Sequence, residues 1–154
     1  MRHIAFVVPI LLASVVTGCQ PRQANDPIVT SVAENDVAAV QRYLEEGGDP
    51  DMKTRDGKPL LFIASGPKGG EEVAKLLLDA DADPNAATED GRTPLHNAAA
   101  WCDVEMVQLL IAGGVNLTLA NSDGETALDV VCKSPADRRS EVNGILIEAA
   151  AQRE

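Results

Sequence analysis

Apolar residues recur along this chain at helical spacing, in pairs of short segments. In the clearest pair, Leu95, Ala98 and Ala99 follow the i, i+3, i+4 spacing that places side chains on one face of a helix. A second helix with a larger apolar face is predicted from Val104, Val107, Leu110 and Ile111. Gly113 and Gly114 follow it, and glycine commonly ends a helix. The pattern predicts two short helices joined by a tight turn.

Three other segments repeat this order of a small apolar face and then a larger one. The preceding segment has apolar positions at Leu60, Ile63 and Ala64, and then at Val73, Leu76 and Leu77. The following segment has them at Ala127, Leu128 and Val131, and then at Val142, Ile145 and Leu146. The first segment lacks a clear hairpin and offers Val29, Val32, Val37, Val40, Tyr43 and Leu44. The chain is therefore predicted to contain four two-helix units.

Two markers recur in register with these units. Steps of 34 and 33 residues separate the Asp-Gly pairs at Asp56-Gly57, Asp90-Gly91 and Asp123-Gly124. The same steps separate the residues that close the leucine-rich stretches, Gly47, Asp81 and Gly114. A fixed period of this length is typical of proteins built from stacked helical repeats.

The units resemble ankyrin repeats. The resemblance rests on the run from Asp90 to Ala99, which contains Thr93-Pro94-Leu95-His96, and on Val73 to Leu78 followed by Ala82-Asp83-Pro84-Asn85. Within it, Thr93 is suited to cap a helix and Pro94 to occupy its first position. The resemblance implies an all-α repeat solenoid of about four ankyrin repeats over residues 26–154, each a helix–turn–helix with a β-hairpin-like turn. It also implies degenerate terminal repeats, which cap such stacks.

Two insertions depart from the family pattern. Gly66-Pro67-Lys68-Gly69-Gly70 lengthens the turn between the two helices of the second unit by about two residues. The fourth unit carries about three extra residues around Ala136 to Ser140, before its final helix. Insertions of this kind are expected to form loops that can shape a binding face, although neutral surface variation is equally compatible with them.

The first 18 residues have the composition of a signal peptide. Met1-Arg2-His3 is basic, and the apolar run from Ile4 to Val16 is too short to span a bilayer. Val16-Thr17-Gly18-Cys19 resembles a bacterial lipobox, which implies cleavage before Cys19 and its acylation with fatty acids such as palmitate. An ordinary secretory signal followed by a chance cysteine is the alternative.

The lipobox resemblance divides the chain and places it in the cell. Residues 1–18 are expected to be removed, residues 19–25 to form a lipidated linker, and residues 26–154 to face the periplasm. Gln rather than Asp stands at position 20, which in such lipoproteins indicates the outer membrane.

Composition excludes several classes of function. The net charge is −11 and aromatic residues make up 3% of the chain, whereas nucleic-acid binding needs a basic surface and stacking aromatics. Signal-peptide removal leaves His96 as the one histidine, so no pair of histidine metal ligands can form. No phosphate-binding loop, nucleophile elbow or paired-cysteine zinc spacing occurs. We therefore expect no enzyme activity, cofactor or metal site, and the resemblance gives His96 a structural role in bonding neighbouring loops.

Cys102 and Cys132 remain after lipidation of Cys19. An exported protein folds in an oxidising compartment, where an even number of cysteines favours a disulfide. In the repeat pattern, Cys102 replaces the glycine that usually closes the first helix, and Cys132 aligns with Ala99 of the preceding unit. Neighbouring helices pack ~8–10 Å apart, whereas a disulfide needs Cα atoms within ~7 Å. The sequence leaves open whether the two cysteines are bridged or are separate buried side chains.

The ankyrin resemblance implies that a protein partner binds the concave face, which consists of the hairpin tips and the exposed ends of the first helices. In the second unit the pattern places there Arg55, Asp56, Lys58, Phe62 and Ser65. In the third unit it places there Glu89, Asp90, Arg92, Asn97, Ala100 and Trp101. In the fourth unit it places there Ser122, Asp123, Glu125, Lys133 and Ser134.

Trp101 is the strongest candidate on this face, because an exposed tryptophan is a typical anchor of a protein interface. Packing of Trp101 beneath the Lys133-Ser134-Pro135 turn is the alternative, and Phe62 is equally compatible with a place in the core. Acidic tips predict a basic patch on the partner, with solvated turn residues as the alternative.

The resulting hypothesis is a non-enzymatic, monomeric, lipid-anchored protein that binds a protein partner in the bacterial periplasm. One role consistent with it is that of an inhibitor or immunity protein against an effector that acts on the periplasm or membrane. The alternative is an envelope scaffold or an accessory factor, for example for an oxidative-stress enzyme.

Overall fold

The computed structural model describes residues 26–68, 70–133 and 135–152, which form a stack of helices. Its helices are α1 (Pro27–Ala33), α2 (Val37–Glu45), α3 (Leu60–Ala64), α4 (Glu71–Asp79), α5 (Pro94–Trp101), α6 (Val104–Ala112) and α7 (Ala136–Ala151). Across these ranges, none of the helices is long and apolar enough to cross a membrane. The predicted signal peptide, Cys19 and the linker lie outside the described residues.

The helices form two rows. In one row, α1 contacts α3 and α3 contacts α5, and in the other, α2, α4, α6 and α7 contact one another in chain order. Within each of the first three units, the first helix also packs against the second. Large side chains between the rows are fully buried, among them Val32, Val40, Leu60, Leu77, Leu95 and Leu110. This arrangement confirms the all-α repeat solenoid.

The Asp-Gly marker belongs to a hairpin that precedes the first-helix position of three units. Backbone N–H···O bonds of 2.9 to 3.0 Å close these hairpins between Thr54 and Lys58, Thr88 and Arg92, and Asn121 and Glu125. The glycines have φ angles of 72°, 76° and 79°, a conformation that residues with a Cβ rarely adopt. The period seen in the sequence therefore marks the tips of equivalent hairpins.

The fourth unit has no first helix, so the helix predicted over residues 127–131 is wrong. The Thr126 N–H and hydroxyl donate to Asp129 Oδ2 at 2.8 and 2.7 Å, and they hold an isolated turn. The Cys132 N–H donates to Ala99 O of the preceding unit at 3.1 Å, rather than to a carbonyl within its own segment. These bonds take the place of the backbone bonds that a helix over residues 127–131 would make, so the segment is not helical.

The extra residues of the fourth unit lengthen a helix instead of forming the expected loop. Residues 136–140 are the first turns of α7, which has 16 residues where α2, α4 and α6 have nine. Pro135 stands immediately before α7, a position where the missing N–H of proline is tolerated. Residues 136–141 are exposed, and Val142 is the first buried residue, so the added turns extend beyond the core.

We predict that Gly91→Ala destabilises the stack more than Gly124→Ala. Each variant places a side chain at a hairpin position of positive φ, which costs about 1 kcal/mol of unfolding free energy. At Gly91 the added Cβ would also lie 3.2 Å from Asn121 Cα and 3.3 Å from Ser122 N, whereas at Gly124 it meets nothing within 4 Å. Chemical denaturation measures the difference, and equal losses would contradict the tight contact between adjacent hairpins.

Candidate protein-binding face

The hairpin tips bring most of the predicted contact residues to the surface. The exposed ones are Arg55, Asp56, Lys58, Glu89, Asp90, Ser122, Asp123 and Glu125, and Arg92 is half-buried. Lys53 Nζ donates to Ala87 O at 3.1 Å, and the Ser122 N–H donates to Asp90 O at 2.9 Å. These bonds link the three hairpins into one row whose members have fixed relative positions.

The charges of the tips change along this row. In the second unit, Lys58 Nζ lies 2.7 Å from Asp56 Oδ2, and this lysine, followed by the Thr54 hydroxyl, lowers the pKa of Asp56 to about 2. In the third unit, the Thr88 hydroxyl is the main group that lowers the pKa of Asp90, with a smaller contribution from Arg92. The tip of the fourth unit carries two acidic residues, Asp123 and Glu125, without a basic residue among positions 122–125.

Trp101 is the last residue of α5, and its side chain is open to solvent. It is 57% exposed, while Ala100 beside it is half-buried. Cys102 follows in the left-handed conformation, with φ of 53° and ψ of 41°, and its N–H donates to Ala99 O at 3.1 Å. Lys133 is exposed as well, and Ser134 lies outside the described residues. Trp101 is therefore held at the end of a well-defined helix.

Asn97, Phe62 and Ser65 are buried, so the sequence prediction that they contact a partner is corrected. Asn97 Nδ2 and Ser65 Oγ both donate to Phe62 O, at 2.9 Å each. The Phe62 ring lies beneath Arg92, whose guanidinium carbon is 5.7 Å from the ring centroid. These side chains join the second unit to the third and are not available at the surface.

His96 has the structural role that the family resemblance implied. Its ring is buried, and Nδ1 accepts a hydrogen bond from the Thr93 N–H at 3.2 Å. Its Nε2 lies 3.0 Å from Glu125 O. Because a carbonyl oxygen only accepts, Nε2 carries the proton and donates to Glu125 O. The histidine thus caps α5 and ties the third unit to the hairpin of the fourth.

Cys102 and Cys132 are joined by a disulfide in the structure, with their Cα atoms 5.6 Å apart. This distance lies within the ~4.4–6.8 Å that is usual for a disulfide. Cys132 lies in an irregular segment, where the fourth unit lacks its first helix, and its N–H bonds directly to Ala99 O, which holds it beside Cys102.

Two exposed apolar side chains of the fourth unit were missed by the sequence analysis. Leu128 is 43% exposed and Ile147 57%. They line a hollow of about 270 Å³ together with Leu117 and Leu146. Leu128 is exposed because the helix that was expected to bury it does not form. The exposure of Ile147 could have been predicted from the sequence, because Ile147 falls outside the spacing of the core positions in α7.

Three carboxylates at the beginnings of α4 and α6 also come together. Oxygen atoms of Glu71, Asp103 and Glu105 all lie within 4.8 Å of one another. Partial desolvation, followed by repulsion from Asp103 and Glu105, raises the pKa of Glu71. Asp103 Oδ1 also accepts the Met106 N–H at 3.0 Å as a helix cap. Glu71 and Glu105 lie in the first turns of equivalent helices in adjacent units. This equivalence was the signal in the sequence that could have predicted their proximity.

The row of hairpins and the stacked helix pairs define a helical-repeat protein, a class that binds partners on extended surfaces. The family model for ankyrin repeats, with three copies, matches residues 28–121 and 67–152. The chain belongs to the ankyrin-repeat family, whose repeats mediate protein–protein interaction and are generally without enzymatic activity.

Proteins from viruses and mammals share these repeats. The chain is similar to a putative ankyrin repeat protein of fowlpox virus, at 38% identity over 58% of this chain and 12% of that protein. It is similar to ankyrin repeat and SOCS box protein 16 of Mus musculus, at 32% identity over 72% and 26%. It is also similar to protein phosphatase 1 regulatory subunit 12A of Mus musculus, at 36% identity over 58% and 9%. The chain thus spans about a quarter or less of the length of these relatives.

We predict that Lys58→Met returns the pKa of Asp56 from about 2 part of the way to its ordinary value of 3.8, because the Thr54 hydroxyl continues to lower it. A lowered folded-state pKa stabilises the fold above about pH 4, and this contribution is lost as the pH falls through about 2. NMR titration of the Asp56 carboxyl in the variant measures the change.

Lys53→Met is the matched control for this titration. Lys53 is on the same hairpin but donates to Ala87 O, so its loss should leave the pKa of Asp56 near its wild-type value. Equal shifts in both variants would contradict a specific Lys58–Asp56 pair.

Proposed function

We propose that this chain is a non-enzymatic, lipid-anchored protein that binds a protein partner on its concave face. The observation that carries the proposal is Trp101, the one tryptophan of the sequence, which is 57% exposed at the end of α5. A large aromatic side chain contributes strongly to binding when a partner covers it.

The fixed position of Trp101 supports its use as an anchor. Its helix is packed against α3 and α6, and the residue after it is tied to Cys132. A helix end that is already held in place loses less conformational entropy when a partner binds. We therefore expect the partner to have a pocket that accepts the indole ring of Trp101.

The charges near the fourth unit support a partner with a basic patch. Asp123 and Glu125 are exposed at the tip, and Asp129 is exposed in the turn that follows. Opposite charges across an interface speed association and fix its orientation, more than they raise affinity. We therefore propose that basic side chains of the partner lie toward the fourth unit and its apolar contact lies against Trp101.

The proposed anchor sets where binding occurs. The lipobox at residues 16–19 supports acylation of Cys19, which leaves residues 20–25 between the lipid and the folded domain. A segment of this length spans at most ~25 Å, so the domain would stay close to the bilayer. Because the domain would lie close to the bilayer, we propose that the chain inhibits an effector that acts at the membrane surface.

We predict that Trp101→Ala lowers affinity for the partner at least tenfold, whereas Ile147→Ala leaves it unchanged. Both side chains are 57% exposed, so each variant shortens an exposed apolar side chain, but Ile147 lies in α7 beside the hollow at the end of the stack. Affinity capture from envelope extract with the full chain in mild detergent identifies the partner, and titration with the purified partner gives the affinities.

The variants decide where the partner binds. If Trp101→Ala binds as tightly as wild type while Ile147→Ala does not, the partner binds the end of the stack and the proposed face is wrong. The activity of a captured membrane-acting enzyme, measured with and without the chain, then separates inhibition from a scaffold role: loss of activity supports inhibition.

We predict that Cys19→Ala removes the chain from the membrane fraction and abolishes its labelling with radioactive palmitate. Lipidation at this sulfur is the step that the lipobox would direct, and stable anchoring needs more than one acyl chain. Cys132→Ala is the matched control, because it removes a cysteine of the folded domain and should leave the labelling intact. Labelling that persists in Cys19→Ala would contradict the lipid anchor.

A further inference from the structure

We infer that the Cys102–Cys132 disulfide is a redox-sensitive clamp on the fourth-unit wall, which we define as residues 125–133. Breaking the bond would open this wall and weaken binding on the concave face while the first three units stay folded. The link to binding rests on the proposed function, whereas the opening of the wall does not.

The wall depends on the disulfide because it contains little regular structure. At its start, Glu125 O accepts from His96 Nε2 at 3.0 Å, and at its end the Cys132 N–H donates to Ala99 O at 3.1 Å. Between these bonds the backbone forms an isolated bridge between Thr126 and Ala120 and one local turn at Thr126 and Asp129. The wall buries few side chains, chiefly Ala127 and Val131. The covalent bond at its far end thus takes the place of helix packing.

The rest of the stack has its own contacts. The end of α5 is closed by backbone bonds from Cys102 N–H to Ala99 O at 3.1 Å and from Asp103 N–H to Ala98 O at 3.0 Å. Helix α7 packs against α6, and its buried Val142 and Leu146 belong to the main core. Regions with few buried contacts open locally without global unfolding. Loss of the disulfide should therefore release the wall alone.

A dithiol reductant can reach one end of this bond more easily than the other. Cys102 is 1% exposed, whereas Cys132 is half-buried. A thiolate of the reductant attacks the Cys132 sulfur, the disulfide breaks, and the Cys102 sulfur leaves and takes up a proton. The second thiol of the reductant then attacks the mixed disulfide, which releases Cys132 as a thiol and leaves the reductant as a disulfide. Two electrons pass from the dithiol to the protein.

The bond also connects two parts of the proposed binding face. Trp101 directly precedes Cys102, and Lys133 directly follows Cys132. With the Cα atoms of the cysteines 5.6 Å apart, the disulfide fixes the distance between the tryptophan and the wall. Reduction would free Lys133 and the acidic residue Asp129 from their positions relative to Trp101.

Hydrogen exchange of the full chain in detergent, oxidised and then treated with dithiothreitol, tests the clamp. We expect amide exchange in residues 125–133 to become at least tenfold faster on reduction, with α2 and α4 unchanged, and to return after reoxidation. Emission from Trp101 should change in parallel. Faster exchange in all units would overturn the inference, because the bond would then carry global stability, and unchanged exchange in the wall would overturn it as well.

Two variants identify the cysteines responsible. Cys102→Ser/Cys132→Ser should show fast exchange in the wall with or without dithiothreitol. Cys19→Ser should respond to dithiothreitol as the wild type does, because Cys19 lies outside the clamp. A response that disappears in Cys19→Ser would overturn the assignment to the Cys102–Cys132 bond.

Capture of the partner by oxidised and reduced chain separates the clamp from the proposed function. Capture by the oxidised chain alone supports both. Equal capture by both forms overturns the link between the clamp and binding. If neither form captures a partner, the proposed function fails and with it the effect on binding, while the exchange result still decides whether the wall opens.

Discussion

The contact of each helix pair with the next pair is the constraint on which the rest of this structure depends. Helix α3 has five residues and α5 has eight, whereas isolated helices below roughly 12–15 residues are marginal in water. Each pair exposes an apolar face that it cannot cover itself, and α3 on α5 and α4 on α6 cover these faces in two rows. The helix contacts of the described residues join adjacent units, so the stability of the stack is approximately the sum of the stabilities of single units and of the interfaces between neighbours. A change at one interface can then stay local.

Polar side chains set how one unit meets the next. Asn97 donates to Phe62 O of the preceding unit, and His96 donates to Glu125 O of the following one. The bond to Phe62 O is buried and the bond to Glu125 O is partly buried, and an unpaired polar atom away from water is costly. The third unit is thus bonded to both neighbours by two consecutive residues of α5.

Local constraints were readable from the sequence, and contacts between units were not. The Asp-Gly period predicted the hairpins because φ angles near 75° favour glycine at each tip. Thr93 and Pro94 likewise predicted the start of α5. The burial of Asn97 depends on a carbonyl of another unit, and the missing fourth helix depends on Asp129 and on the bond from Cys132 to Ala99. A pattern of apolar residues does not reveal such hydrogen bonds. The predictions of an exposed Asn97 and of a first helix in the fourth unit were therefore wrong.

The fourth unit differs from the first three in the contacts that hold it in place, and this difference lies beside Trp101. The first three units are held by helix packing, while residues 125–133 are held by hydrogen bonds at both ends and a disulfide. Had the predicted helix formed, Leu128 would be expected in the core. The irregular segment instead brings the Cys132 N–H to Ala99 O, beside the disulfide. Residues 125–133 thus have few buried contacts and are held by a disulfide next to Trp101. Reduction of this disulfide would destabilise the segment without destabilising the first three units.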